Sequence, residues 1–184
     1  MKEFRVLSPS AILGYGFPKE SFEEGMKRHP DVIACDAGSS DPGPYYLGAG
    51  ISFTDVAAVK RDLSIMIPAA IEAGIPVIVG TSGGSGATPH LEINRRLVME
   101  IAKEHNLSFK YAEISSEFDK ETIHYNLKEG RISPLGPVPE LTDKDIDESI
   151  HIVAQMGEEP FMEALEGGAQ VIMAGRSYDP AVFA

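Results

Sequence analysis

The sequence is poor in cysteine, lacks any long apolar run and has no excess of positive charge, and each gap excludes a class of protein. A single cysteine, Cys35, cannot form an intrachain disulfide or a cysteine-based metal cluster. The 16 basic residues are outnumbered by 28 acidic ones, and a net charge of -12 would repel nucleic acid and anionic membranes. No apolar run reaches the roughly 18 residues of a spanning helix, and no signal-peptide pattern follows Met1. We therefore expect a cytoplasmic protein with neither a nucleic-acid nor a membrane partner.

The chain does have a regular alternation of apolar runs and helical patterns, which is typical of βα units. With 184 residues, of which 43% are hydrophobic, it is long enough to bury one core. We expect residues 1–184 to form a single α/β domain with three layers and a mostly parallel, Rossmann-like sheet of five or six strands. Strands are predicted at 5–8, 32–35, 77–79, 109–114, 151–154 and 170–174. Helices are predicted at 18–29, 56–73, 88–101, 120–129 and 160–166, with a short helix or turn at 143–149.

A glycine-rich loop follows the predicted strand 77–79 and leads into the helix that begins near Thr88. It lacks the lysine of a P-loop, and it is not a clean dinucleotide-binding fingerprint. Its N–H groups and the helix N-terminus suit an anion such as a phosphate or carboxylate, although the glycines could serve turn geometry alone. The residues expected to bind the anion are Gly80, Thr81, Ser82, Gly83, Gly84, Ser85 and Gly86.

A long polar connection begins at Asp36, directly after the second predicted strand, and connections of this length usually carry function. Because Asp36 follows an apolar run, its carboxylate is expected at the rim of the sheet. It would act there as a general base or a metal ligand, or it would hold an Asx-turn. Asp41 is a second catalytic candidate, although an aspartate before a proline often forms a turn. Ser39 and Ser40 are expected to bind the substrate.

Ligands of an open parallel sheet bind beyond the carboxyl ends of the strands, so the loops at these ends should meet in one crevice. His90 begins a helix there and could act as an acid, a base or a ligand, or lie on the surface. Glu113 would add a carboxylate to the binding set. Arg176 follows the last strand and could clamp a carboxylate or phosphate through two hydrogen bonds. The alternative for Arg176 is a structural pairing with Asp179 or Glu158.

The remaining histidines and the metal question are less informative. His124 is expected to be solvated, and His151 to be a partly buried imidazole with a hydrogen-bond partner. No His-x-His, His-Glu-x-x-His or Cys-x-x-Cys pattern defines a metal site, so no metal ligands are predicted. No motif indicates a cofactor. A divalent metal stays open as a cofactor, because Asp36 could be a metal ligand.

Three stretches resemble the N-terminal domain of the acyclic terpene utilisation (AtuA-like) family. They are Asp36-Ala-Gly-Ser-Ser-Asp-Pro-Gly-Pro-Tyr-Tyr-Leu-Gly48, Gly80-Thr-Ser-Gly-Gly-Ser-Gly86 and Ala174-Gly-Arg-Ser-Tyr-Asp179. The resemblance implies a role in the catabolism of acyclic terpenes and similar branched acids as coenzyme A thioesters. It also implies a further C-terminal region, so we expect residues 1–184 to be the N-terminal part of a larger protein or of a two-subunit assembly. A homo- or hetero-oligomer is expected.

The residues and the resemblance together favour an enzyme domain that acts on a small or branched carboxylic acid or its coenzyme A thioester. Its chemistry would be acid–base chemistry without a redox cofactor, of a lyase, hydratase or isomerase kind. Two alternatives stay open at this point. One is a nucleotide-binding module, and the other is a non-catalytic assembly domain that a partner subunit completes.

Overall fold

Five parallel strands form a single sheet in the computed structural model, which describes residues 3–184. The strands are β1 (Val6–Leu7), β2 (Val32–Asp36), β3 (Val77–Gly80), β4 (Tyr111–Ile114) and β5 (Val171–Ala174). The helices are α1 (Lys19–Met26), α2 (Tyr45–Ala49), α3 (Val56–Ala73), α4 (Thr88–Glu104), α5 (Lys120–Lys128), α6 (Asp143–Glu148) and α7 (Glu159–Glu166). The strands lie in the order β1-β2-β3-β5-β4, and all neighbours are parallel. The predicted α/β fold is confirmed.

The three central strands, β2, β3 and β5, are buried along their whole length. Their register pairs Ile33 with Val77 and Val77 with Val171. Strands with helices on both faces read as continuous apolar runs in the sequence, which is why these strands could be predicted within one or two residues. The edge strands β1 and β4 are only partly buried.

Two apolar cores, one on each face of the sheet, make the three layers. The larger core joins the sheet to α1, α3 and α4, and Leu63 and Ile101 are fully buried in it. The smaller core joins the other face to α7 through Phe161 and to the 3-10 turn Asp179–Val182 through Val182. Since burial of an aliphatic side chain contributes roughly 2 kcal/mol, the larger core is the main source of stability.

The chain reverses its direction across the sheet between β4 and β5. From β1 to β4 it moves toward one edge, and β5 then returns to a place between β3 and β4. The chain therefore leaves β3 toward the layer that contains α4 and leaves β5 toward the opposite layer. The carboxyl ends of β3 and β5 form the topological switch point, where open α/β sheets bind their ligands.

The bounds of α3 agree with the sequence prediction because specific residues mark both ends. Asp55 Oδ1 accepts the N–H of Ala57 at 2.9 Å and so caps the first turn. Gly74, with φ of 69°, ends the helix in the left-handed conformation. Thr54 does not take part in the cap and instead donates to the carbonyl of Leu13 at 3.1 Å.

Two elements differ from the prediction. The strand predicted at 151–154 is wrong, because this segment pairs with the connection after β4 and not with a strand of the sheet. Its one bridge is antiparallel and joins Val153 to Glu117, so the sheet has five strands. The helix α2 was not predicted, since it is a single short turn inside a glycine- and proline-rich connection, and Gly50 ends it with φ of 64°.

A fully buried carboxylate, that of Asp62 in α3, holds the loop after β1. Its Oδ2 accepts the N–H of Gly14 at 2.8 Å and the N–H of Gly16 at 3.1 Å. Its Oδ1 accepts Nε and Nη2 of Arg61 at 2.9 and 2.7 Å. Both glycines have positive φ, so one side chain stabilises a backbone path that the loop would not keep without an acceptor.

We expect Asp62→Ala to lower the free energy of unfolding by about 3 kcal/mol, because two partly buried N–H groups lose their acceptor. Urea unfolding measures this loss. The matched control is Glu72→Ala, at an exposed position of the same helix, which should change stability by no more than about 0.5 kcal/mol. Equal losses in the two variants would contradict the role assigned to Asp62.

His124 is not the solvated side chain that the sequence predicts. Its Nδ1 lies 2.7 Å from Asp143 and its Nε2 lies 3.0 Å from Asp147, so the ring joins α5 to α6. A ring that donates from both nitrogens is positively charged, and the hydrogen bonds to Asp143 and then Asp147 raise the pKa of His124. The pair of carboxylates escaped prediction because both lie on a helix that is distant in sequence.

The hydrogen bonds of His124 to Asp143 and Asp147 should make the free energy of unfolding depend on pH. Because the folded pKa is raised, its contribution is complete below the unfolded value of 6.5 and is lost as the pH rises through the folded pKa. We expect His124→Gln to lower the thermal midpoint at about pH 5.5, with the difference from wild type closing in alkaline solution. His105→Gln, at an exposed position after α4, is the control. A pH-independent effect of His124→Gln would contradict a charged His124 that joins α5 to α6.

Candidate functional site

A polar cleft lies at the switch point, beyond the carboxyl ends of the central strands. Its volume is about 580 Å³, within the range of small-molecule sites. Its wall brings together the predicted residues Ser39, Ser40, Asp41, Ser85 and Arg176. The other lining residues are Gly43, Pro44, Leu47, Val153, Gln155, Tyr178 and Asp179.

A larger groove, of about 1070 Å³, lies between β1 and α1. It is at the edge of the sheet and is lined in part by His29 and Pro30, which precede β2. It is therefore remote from the carboxyl ends of the strands and contains none of the predicted site residues. The smaller cleft is the better candidate because both topology and chemistry point to it.

Arg176 is the one cationic side chain on the wall of the cleft. Its Nη2 donates to the carbonyl of Gly84 at 3.2 Å, and its backbone N–H donates to Ser116 Oγ at 2.7 Å. The alternative pairing with Asp179 or Glu158 does not form, since no carboxylate among residues 3–184 lies within 4.0 Å of the guanidinium. Guanidinium donors are thus left for a ligand.

Burial lowers the pKa of Arg176, and the negative charges of Asp36 and Asp179 oppose that shift. A guanidinium stays protonated in proteins under any such shift. The cleft of this acidic protein therefore contains a half-buried guanidinium, and two carboxylates, those of Asp41 and Asp179, lie on the same wall.

Asp36 lies beneath the wall of the cleft and not on it. Its Oδ1 accepts the N–H of Ala37 at 2.8 Å and that of Gly38 at 3.4 Å, as an aspartate that holds a turn does. Burial raises the pKa of Asp36, and Asp179 adds to the rise, while the two N–H groups act in the opposite direction. Asp36 thus combines the turn role with a raised pKa, and its charge acts on Arg176.

The glycine-rich loop is buried and closed on itself. The N–H of Gly84 donates to the carbonyl of Thr81, and the N–H of Gly86 donates to the carbonyl of Ser82, both at 3.0 Å. These N–H groups, which the sequence suggested for an anion, are therefore bonded to the protein. Only Ser85 of the loop lies on the wall of the cleft.

Glycine is required in this region because two backbones pass each other at close range. A Cβ on Gly86, whose φ is 77°, would lie 2.1 Å from the backbone nitrogen of Arg176. A Cβ on Gly38 would lie 2.3 Å from the carbonyl oxygen of Gly84. The connections after β2, β3 and β5 are thus in direct backbone contact, and the glycines serve this packing.

The N-terminus of α4, predicted to attract an anion, binds a carboxylate of the chain itself. Glu117 Oε2 accepts the N–H of Thr88 at 2.7 Å. Glu117 Oε1 lies 2.5 Å from His151 Nδ1, which gives the partly buried imidazole the partner expected from the sequence. The pair escaped prediction because its members are 34 residues apart and neither belongs to a motif.

His90 is fully buried, so the surface position considered for it is wrong. Its Nε2 lies 3.0 Å from the carbonyl oxygen of Ile51 and 3.2 Å from that of Tyr46. Since both partners are acceptors, Nε2 carries the proton, and burial lowers the pKa of His90, which keeps the ring neutral. The ring ties α4 to the end of α2 and is not on the wall of the cleft.

Ser82 lies in the segment Gly80-Thr-Ser-Gly-Gly84, whose spacing matches the Gly-x-Ser-x-Gly elbow of nucleophilic serine enzymes. The strand–turn–helix context matches as well. However, an elbow exposes its serine at a strained turn, whereas the positive φ here, 45°, belongs to Thr81. Ser82 is fully buried and does not line the cleft. The geometry therefore gives no support to a nucleophilic serine.

Glu113 lies on the edge strand β4, away from the cleft. Its carboxylate accepts the hydroxyl of Tyr111 at 3.0 Å and lies 3.7 Å from Arg95 of α4. Because side chains alternate along a strand, Glu113 shares the face of Tyr111, which packs on the larger core. The expectation that it joins the other site residues is wrong.

Two further properties concern metals and membranes. Among residues 3–184, no three His, Cys, Asp or Glu side chains form a group suited to a metal ion. In the part of the chain that the structure describes, no helix combines the length and apolarity that a membrane crossing requires.

Comparison with models of protein families assigns the chain. A model described as "Acyclic terpene utilisation family protein AtuA" matches residues 56–184, which is more than half of the sequence. The chain belongs to this AtuA family. The matched span includes both the glycine-rich loop and Arg176, and the resemblance seen in the sequence is confirmed. Searches of curated proteins and of solved structures gave no match.

Two glycines of this AtuA-family domain allow a matched test of the backbone contact at the cleft. Gly43 and Gly86 both have φ of 77°, but a Cβ on Gly43 would have no neighbour within 4 Å. We expect Gly43→Ala to cost about 1 kcal/mol of stability for its conformation alone. Gly86→Ala should cost at least about 2 kcal/mol more, because its Cβ collides with backbone. Urea unfolding of both variants measures the difference, and equal costs would contradict the contact.

Proposed function

We propose that this AtuA-family chain is an enzyme domain that binds a small or branched carboxylic acid, or its coenzyme A thioester, in the cleft. The observation that carries the proposal is Arg176, a half-buried guanidinium at the switch point with donors that no carboxylate of residues 3–184 uses. A planar guanidinium matches a carboxylate or phosphate through paired hydrogen bonds. Ser39, Ser40 and Ser85 add hydroxyl groups to the same wall.

The composition of the wall supports a ligand with both an anionic and an apolar part. Pro44, Leu47 and Val153 offer apolar surface, while the hydroxyls and Arg176 offer donors. A branched acid fits this division, because its carboxylate can meet the guanidinium while its hydrocarbon chain lies on the apolar side. The family's link to acyclic terpene utilisation agrees with such a substrate.

The reaction that we propose is an acid–base reaction, such as the addition of water or the movement of a double bond. Burial raises the pKa of the Asp36 carboxyl, whose charge acts on Arg176, and a carboxyl with a raised pKa supports a site that can hold a proton. The exposed positions of Ser40 and Asp41 leave one side of the cleft to a further domain or subunit. We propose that such a part covers the bound ligand, while the residues of this chain suffice to bind it.

A nucleotide-binding function has less support. Phosphate binding by a glycine-rich loop requires free N–H groups in the loop and at the following helix N-terminus. Here Gly84, Gly86 and Thr88 donate to oxygens of the protein itself. The anion-binding element that we propose is therefore a side chain, Arg176, and not the loop.

The test is the binding of 3-methylbutanoate and its coenzyme A thioester to this chain, measured by calorimetry and by the rise in thermal midpoint. We expect Arg176→Ala to weaken binding by about 10- to 100-fold, because a charge-assisted hydrogen bond contributes about 1.5–3 kcal/mol. Arg176→Lys should recover only part of the affinity, since an ammonium cannot form the paired hydrogen bonds.

The control is Arg95→Ala, which removes a cation from the outer face of α4, where it pairs with Glu92 and Glu113. This variant should bind as the wild type does. Equal affinity of the wild type and Arg176→Ala would overturn the proposed anion site. Failure of every acid and thioester to bind the wild type would overturn the proposed function.

A further inference from the structure

We propose that Glu117 and His151 form the acid–base pair of the cleft, with His151 Nε2 exchanging the proton and Glu117 positioning the ring. This inference rests on the proposed function. Acid–base chemistry needs a titratable group that can reach the ligand, and Asp36 is buried with Oδ1 bonded to two N–H groups. Glu117 and His151 are only partly buried, and His151 lies two residues from Val153, which is on the wall of the cleft.

The two side chains have the geometry of an oriented histidine. Glu117 Oε1 lies 2.5 Å from His151 Nδ1, and its other oxygen accepts the N–H of Thr88 at 2.7 Å. Burial acts to raise the pKa of Glu117, but the hydrogen bonds from Thr88 and His151 outweigh burial and lower it. An ionised carboxylate on Nδ1 places the ring proton there and leaves the lone pair on Nε2.

The pair is held between elements that line the cleft. The segments after β4 and before α7 form an antiparallel bridge between Glu117 and Val153, and Val153 lies on the wall. Side chains of an extended segment alternate, so His151 shares a face with Val153 and Gln155, which also lies on the wall. His151 is the next residue along this face.

A second set of contacts places the pair close to Arg176. Ser116, the neighbour of Glu117, accepts the backbone N–H of Arg176 at 2.7 Å and donates to the carbonyl of Gly86 at 3.0 Å. On the other side, a Cβ on Gly50 would lie 3.7 Å from His151 Nε2, and Gly50 ends the helix that contributes Leu47 to the wall.

His151 combines partial burial with access. Its side chain is 20% exposed and that of Glu117 is 18% exposed, so both side chains are held by their neighbours and neither is fully buried. The titratable groups that face it are Glu117 from the connection after β4 and His90 from α4. Since burial lowers the pKa of His90, Glu117 is the charged one of these two neighbours.

The proton transfer is simple to balance. His151 Nε2 takes a proton from the bound acid or from a water molecule, and the bonding electron pair stays on the donor atom. The imidazolium that forms is stabilised by the ionised Glu117, which stays deprotonated, as in other carboxylate–histidine pairs. In an isomerisation, the released electron pair forms the new double bond, the old double bond breaks, and Nε2 returns the proton to the far carbon. In a hydration, the oxygen of the deprotonated water bonds to one carbon of the double bond, and the π electron pair takes the proton from Nε2 at the other carbon.

The test uses the complete chain and has a readout without ligand and one with ligand. The ring ¹⁵N resonances of His151, assigned by their loss in His151→Gln, report which nitrogen carries the proton. We expect the Nδ1–H form in the wild type, and a mixture of both forms in Glu117→Gln. A His151 ring that is protonated on Nε2, or that is unchanged by Glu117→Gln, would overturn the pair whether or not any ligand binds.

The second readout is the rate at which diethyl pyrocarbonate modifies His151, followed by mass spectrometry. With 3-methylbutanoate at ten times its Kd, a ligand that covers Nε2 should slow the modification about tenfold. The exposed His105 serves as the internal control in the same sample, and its rate should not change. Protection should vanish in Arg176→Ala at the same ligand concentration.

The outcomes separate the two proposals. Binding that depends on Arg176 without protection of His151 would overturn the acid–base pair and leave the proposed function standing. Protection of His151 together with the Nδ1–H form supports both. Absence of binding would overturn the proposed function, and the ring resonances of His151 would then be the only test of the pair.

Discussion

The backbone contact between the glycine-rich loop and the exit from β5 is the constraint on which the candidate site depends. A side chain at Gly86 would meet the nitrogen of Arg176, and one at Gly175 would come within 2.4 Å of Ser116 Oγ. Because backbones in such contact cannot shift independently, Arg176 and Ser85 are held relative to one another by main chain. The backbones that carry Arg176 and Ser85 therefore lie in direct contact at the wall of the cleft.

The contact of Gly86 with Arg176 also positions the one guanidinium on the wall of the cleft, among the residues that the structure describes. With a net charge of -12, the chain as a whole repels anions, and a binding site must act over a few ångströms. Arg176 is held at that range by Gly84 and Ser116, and burial makes its interaction with an anion stronger than an exposed guanidinium would allow. Because Asp36 and Asp179 also act on the guanidinium, an anion would depend on direct hydrogen bonds to Arg176 and not on a net positive field.

The sequence was sufficient for the elements whose signals are local. Asp55 and Gly74 mark the ends of α3, and continuous apolar runs mark the central strands, so these bounds follow from caps and burial alone. It was insufficient where a partner is distant in the chain. The buried position of His90 depends on two carbonyls about 40 residues away. The contact between Glu117 and His151 depends on the order of β4 and β5 in the sheet. Neither is visible in a linear pattern.

The glycine-rich loop lies beside the cleft, but its glycines serve backbone packing and not the anion binding that its composition suggests. Its composition suggested backbone N–H groups that are free for an anion, but those of Gly84 and Gly86 bond to the protein, and the negative charge at the N-terminus of α4 is that of Glu117. Once a carboxylate occupies a helix N-terminus, a second anion there would be repelled. The loop still shapes the cleft, because the absence of a side chain at Gly86 lets the backbone of Arg176 lie against it. In the function that we propose, a guanidinium and not the backbone binds the anion, and Glu117, which accepts the N–H of Thr88 at the N-terminus of α4, orients His151.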